Sequence, residues 1–151
     1  MKYQLVTIGQ LKRGFVREGC RHYLGRLEKY AKVEVMELKE GKGRAKEVVA
    51  QEGEALLRAS SGYLIALDER GKETRSAELA ERVTTLENQS VGQISLLIGG
   101  AEGLSDEVKQ AANELWSLSK LTLPHELARL ILLEQLYRLE TIRAGHPYHR
   151  E

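Results

Sequence analysis

The residues best suited to chemistry lie in the last third of this 151-residue chain. Leu97-Ile98-Gly99-Gly100-Ala101-Glu102-Gly103 reads as a buried strand ending in a turn. Glycines there accept positive φ and let a ligand approach the backbone without a Cβ in the way. The spacing is not G-x-G-x-x-G, and no Gly-Lys-Ser/Thr closes a phosphate loop, so a dinucleotide or P-loop site is poorly supported. Farther on, Ser119, Lys120 and Thr122 interrupt the apolar run Leu118, Leu121 and Leu123 just before Pro124. A pre-proline residue stays extended, so backbone groups in this loop lack a regular ladder partner. Buried groups of that kind need partners, either the loop's own Ser119 and Thr122 or the edge of a bound purine. The chain closes with His146-Pro147-Tyr148-His149-Arg150-Glu151, a cationic and aromatic segment suited to clamp a base and its phosphate.

Other constellations are weaker. His146 and His149 have a metal-compatible spacing but no third ligand nearby, so no metal is expected. Ser119, His125 and Asp68 are the residue types of a hydrolase triad, yet no nucleophile-elbow pattern surrounds the serine. Cys20 falls on an apolar helical stripe and reads as core; as the one cysteine it forms no internal disulfide, which fits a reducing cytoplasm.

These segments need a scaffold, and the periodicities supply an alternating one. Strands are expected at 3–8, 33–38, 63–67, 94–98 and 116–118, the middle ones nearly all apolar as in a sheet covered on both faces. Val16, Cys20, Tyr23, Leu24 and Leu27 make the stripe of a first helix, and Ala45, Val48, Val49, Leu56 and Leu57 that of a second. Ser76 is the expected N-cap of a third helix, packed through Leu79, Val83 and Leu86. Ser105 begins a fourth, packed through Val108, Ala111, Ala112 and Leu115, and Pro124 starts the last, about 124–142. That last helix is apolar nearly all round, which in so small a protein suggests a partner subunit as its cover. Strands alternating with helices give a single α/β domain over 1–151: a mainly parallel sheet, helices on both faces, and two ligand-binding strand ends, before Gly99 and Leu118, side by side.

The net charge of +1 hides an asymmetry, since residues 1–50 hold twelve Lys or Arg against six Glu. A basic first third suits a polyanion, although Arg13, Arg17, Arg21 and Arg26 also read as the solvated side of an ordinary helix. No apolar run approaches the roughly 20 residues of a membrane span.

Taken together and in order, the motifs resemble the SPOUT class of RNA methyltransferases. They are Leu-Val-Thr-Ile-Gly at 5–9, Ala-Leu-Asp at 66–68, Leu-Ile-Gly-Gly-Ala-Glu-Gly-Leu at 97–104, Leu-Ser-Lys-Leu-Thr-Leu-Pro-His at 118–125, Glu-Gln-Leu-Tyr-Arg at 134–138 and the closing Pro-Tyr-His-Arg. Within the class the chain is similar to small bacterial members that methylate N3 of a pseudouridine in large-subunit (23S) ribosomal RNA. Ala101 is a departure, standing where relatives often carry proline. The resemblance implies a C-terminal trefoil knot, a homodimer, and S-adenosylmethionine as methyl donor. By position it implies cofactor contacts from Leu67, Gly99, Gly100, Leu118, Ser119, Lys120, Leu121, Thr122 and Leu123. It implies an RNA substrate within assembled ribosomes, bound by the core itself. The tail is then expected to be catalytic: His149 as base or orienting group, Arg150 stabilising the imide anion or a phosphate, Tyr148 stacking. The alternatives are a non-catalytic RNA- or ribosome-binding factor on the same fold and, against the glycine spacing, a nucleotide-binding oxidoreductase.

Overall fold

A computed structural model describes residues 1–149. The strands are β1 (Lys2–Ile8), β2 (Lys32–Leu38), β3 (Tyr63–Glu73), β4 (Gln93–Ile98) and β5 (Glu114–Ser117). The helices are α1 (Gly14–Leu27), α2 (Ala45–Ala59), α3 (Ser76–Asn88), α4 (Asp106–Ala111) and α5 (His125–Ala144). All strand pairs are parallel, in the order β2-β1-β4-β3-β5. The strand ends before Gly99 and Leu118 are therefore not adjacent, as the sequence suggested, because β3 lies between them.

Period-two alternation sorts the core onto two faces. Tyr3, Leu5, Ile94, Leu96 and Ile98 pack with Val16, Cys20, Val83, Leu86, Leu132 and Leu136 of α1, α3 and α5. Val6, Ile8, Ala66 and Leu97 pack with Leu56 of α2 and Val108 of α4 on the other face. Helix α5 lies against both α1 and α3, and none of its residues from His125 to Arg143 is fully exposed. Leu132, Leu133, Leu136 and Leu139 of its apolar pattern are buried within one chain, while Leu127, Leu130 and Ile131 keep partial exposure.

Three local expectations change. Ser76 is the first helical residue rather than the N-cap, and its hydroxyl donates to Gln135 Oε1 at 2.5 Å, tying α3 to α5. Ser105 does cap α4, accepting from the Val108 N–H at 3.2 Å, but α4 stops at Ala111 and Leu115 belongs to β5. Finally, β3 does not end at Asp68. It runs to Glu73 with its register broken between Leu67 and Lys72, both of which pair with Trp116, so residues 68–71 bulge from the ladder.

The start of α5 is joined to the loop after β1. Glu126 is buried, and its Oε1 accepts the N–H groups of Lys12 at 2.9 Å and Arg13 at 3.2 Å. The far end of α5 is tied to the start of β1, where Tyr3 donates to Glu140 at 2.5 Å and Arg143 pairs with Glu140 at 2.6 Å. In crossing from edge strand β5 to β1, the chain passes the bulge of β3 and the carboxyl end of β4. That crossing forms the site.

Candidate active site

The bulge after Leu67, the turn after Ile98 and the loop after Ser117 enclose a cleft of about 370 Å³, at the lower end of small-ligand pockets. Leu67, Gly99, Gly100, Leu118, Ser119, Leu121, Thr122 and Leu123 all line it, so the structure brings together eight of the nine residues singled out from the sequence. Lys120 is exposed and is not among the lining residues.

Each wall has a physical reason for its shape. The Gly103 N–H donates to Gly100 O at 3.1 Å, closing a tight turn in which Gly103 takes φ +84°. Gly99 approaches so closely that a Cβ there would stand 2.9 Å from the Gly103 carbonyl carbon and oxygen. The bulge is held by Asp68, which accepts from the Arg70 N–H at 2.8 Å and pairs with Lys109 of α4 at 3.2 Å. Burial works to raise the Asp68 pKa, but the Arg70 N–H and the Lys109 charge outweigh it and hold the carboxyl below its ordinary range. The third wall is pinned to the bulge: Thr122 donates to Glu69 Oε2 at 2.6 Å, and the Ser117 hydroxyl contacts Glu69 O at 3.2 Å and Ser119 O at 2.9 Å.

Ser119 accepts the Leu121 N–H at 3.0 Å, so the loop does use its own hydroxyls, as one sequence reading had it. Even so, outside helices and strands no backbone–backbone hydrogen bond among the described residues involves 119–123, which leaves loop amides and carbonyls for a ligand. Ser119, His125 and Asp68 share the cleft, yet Asp68 is committed to Lys109 and Arg70, and Ser119 to the loop. They form no triad. Among the described residues no three His, Cys, Asp or Glu side chains group as a metal site. Cys20 is buried, and burial pushes its thiol pKa up, the setting of an inert core thiol.

The tail lies elsewhere. Tyr148 packs on Tyr137 with ring centroids 4.5 Å apart, sits under the Arg138 guanidinium at 4.9 Å and donates to Glu134 at 3.0 Å. Burial first, then Tyr23 and Glu134, push its pKa far up, so the phenol is a donor and a stacking surface rather than a base. Among the described residues, half-buried His149 has no partner for its Nδ1, and none of 146–149 lines the cleft of its own chain. Arg150 lies outside the described residues.

Two supporting residues escaped the sequence reading. Glu52 is 4% exposed and stands directly behind Gly100, and Gly53 packs against Ser105 so closely that a Cβ would collide with its hydroxyl. The available signal was a carboxylate on the inward stripe of α2, one turn after Val48 and one turn before Leu56.

The family described as "Predicted SPOUT methyltransferase" matches residues 1–149, a span that includes every residue lining the cleft. The chain belongs to the SPOUT methyltransferases. Among relatives of this methyltransferase is the "Ribosomal RNA large subunit methyltransferase H" of Syntrophotalea carbinolica, 46% identical over 99% of both chains. The protein of the same name from Bacillus cytotoxicus is 40% identical over 99% of this chain and 100% of its own. Solved structures share the fold at low identity. A probable methylase family protein from Haemophilus influenzae aligns with TM-score 0.60 and 13% identity, over 99% of this chain and 70% of its own. A probable methyltransferase from Bordetella pertussis gives 0.57 and 14%, over 91% and 95%. These findings favour a methyltransferase over the non-catalytic factor and the oxidoreductase.

Proposed function

We propose that this chain transfers a methyl group from S-adenosylmethionine to N3 of a pseudouridine in large-subunit ribosomal RNA, acting on assembled ribosomes in the cytoplasm. The observation that carries the reading is the cleft, which three motif-bearing segments build at the bulge of β3 and the carboxyl ends of β4 and β5. The residues fit the donor. The glycine wall presents backbone with no side chain in the way, the 119–123 loop offers unpaired amides and carbonyls to an adenine edge, and Leu67, Leu118 and Leu123 offer apolar cover. When bound, S-adenosylmethionine supplies a methyl already activated by its sulfonium.

What remains for the protein is positioning and a deprotonated acceptor. Holding acceptor and donor in line can account for a large share of the rate. The target imide is mostly protonated at neutral pH, so a group that takes or orients the N3 proton, or stabilises the anion, adds to this. We assign His149 as the base or orienting group, Arg150 to the imide anion or a phosphate, and Tyr148 to stacking, its neutral phenol suiting that role. Because none of 146–149 lines the cleft of its own chain, this requires a homodimer in which the tail reaches the partner's cleft. Two large apolar side chains support a second copy: Phe15, 68% exposed, and Leu121, 75% exposed at the cleft mouth. The proposal includes the trefoil knot, the 118–124 segment threading past the bulge and the glycine turn before α5 returns to β1. The twelve cations of residues 1–50 are the proposed RNA-facing charge.

The test is transfer of labelled methyl from S-adenosylmethionine to ribosomes from a methylase-deficient strain, compared with isolated subunits and protein-free RNA. Label in the large-subunit RNA of assembled ribosomes supports the reading; no label in any preparation overturns it.

A further inference from the structure

The buried carboxylates of this protein are not equivalent. Among Glu52, Glu126 and Glu140, each at most 6% exposed, Glu126 pairs with Arg13 at 3.7 Å and Glu140 with Arg143 at 2.6 Å. Glu52 has no cationic partner among the described residues. Its Oε2 accepts the Gly41 N–H at 3.0 Å, and its Oε1 has no hydrogen-bond partner among the described residues. A buried acceptor left this way costs free energy, so its retention asks for a reason. The unpartnered oxygen lies against the glycine wall of the cleft: a Cβ on Gly100 would stand only 2.8 Å from it. Gly100 places no side chain between this carboxylate and the cleft, and the neighbouring Gly53 locks the same stretch of α2 against Ser105 at the end of the loop. Of the carboxylates that line the cleft, Asp68 is already balanced by Lys109 and Arg70, while Glu69 and Glu102 are exposed to solvent that screens them.

We infer that Glu52 makes the cleft select for a ligand carrying an extra positive charge, holding a sulfonium donor more tightly than the neutral thioether left after methyl transfer. The inference rests on the cofactor reading above. The two ligands differ by one methyl and one unit of charge, and a carboxylate behind an unshielded backbone wall acts on the charge across a medium of reduced dielectric. Such a site releases its product in exchange for fresh donor without any moving part. Glu52 acts through the wall and touches no reacting atom, so it is a positioning and selectivity residue.

Calorimetry on the full chain tests this, with S-adenosylmethionine and S-adenosylhomocysteine titrated into wild type, Glu52→Gln and Glu52→Asp. Glu52→Gln keeps the shape and removes the charge. It is expected to raise the Kd of the sulfonium roughly five- to tenfold and that of the thioether less than about twofold. Glu52→Asp keeps the charge, so the ratio of the two Kd values stays near wild type even where both ligands weaken through the shorter reach. Equal weakening of both ligands in Glu52→Gln, or no change in either, overturns the inference and leaves the cofactor reading intact. A wild-type chain that binds neither compound overturns both.

Discussion

Gly99→Ala is the sharpest perturbation of the cleft wall. The added methyl would meet backbone, standing 2.9 Å from the carbonyl carbon and oxygen of Gly103 and 3.0 Å from Leu104 Cδ2. A side-chain rotation cannot relieve a clash with a carbonyl, so the turn itself must open, breaking the 3.1 Å Gly103-to-Gly100 hydrogen bond. Overpacking of this kind costs about 1–3 kcal/mol. For a chain of this length that lowers Tm by roughly 2–4 °C per kcal/mol, or about 2–12 °C in all. Affinity for S-adenosylmethionine should fall at least about tenfold, because the displaced turn is a wall of the cleft. Gly25→Ala is the matched control: it sits in α1, its Cβ meets nothing within 4 Å, and it should stabilise by about 0.5–1 kcal/mol with binding unchanged. Thermal unfolding followed by circular dichroism, with calorimetric titration of each variant, reads both effects. A Gly99→Ala protein as stable as wild type and binding equally well would refute the close-approach argument.

Other substitutions follow from the same packing. Glu126→Ala strips the acceptor from the Lys12 and Arg13 N–H groups and should cost roughly 1–3 kcal/mol in denaturant unfolding. Tyr3→Phe leaves the buried Glu140 short of a donor and should cost about 1–2 kcal/mol, read as a lowered urea midpoint. The carboxyls of Asp68, Glu114 and Glu126 all lie below their ordinary values, burial being outweighed in each case by hydrogen bonds from neighbouring N–H or cationic groups. Their stabilisation is therefore complete above the unfolded values of about 4 and is lost as pH falls through the lowered folded ones; a Tm scan should decline below about pH 4.5, and less steeply in Glu126→Gln. His149→Ala should lower kcat at least about tenfold with donor binding intact, whereas unchanged turnover would remove the tail from catalysis.

Much of this architecture was legible because local signals agreed with one another. The apolar runs at 63–67 and 94–98 and the stripe through Val16, Cys20 and Leu27 announce buried strands and a packed helix, and each forms where its period demands. The cleft's eight residues were legible from motif order rather than from physics. What periodicity could not supply was long-range placement. No local pattern says that β3 inserts between β4 and β5, nor that Asp68–Gly71 leaves the ladder and becomes a wall. How far α5 is covered by its own chain was not legible for the same reason, since an all-round apolar helix does not reveal which of its faces α1 and α3 will take. Glu52 was missed because its meaning depends on Gly100, far away in sequence.

The central claim is that this cleft methylates one nitrogen of one kind of nucleoside. Its most direct test is digestion of large-subunit RNA, after incubation of methylase-deficient ribosomes with the protein and S-adenosylmethionine, and mass spectrometry of the nucleosides. The account predicts N3-methylpseudouridine with the wild-type chain and less of it with Gly99→Ala at limiting donor; a methyl group on any other nucleoside, or none, would contradict it.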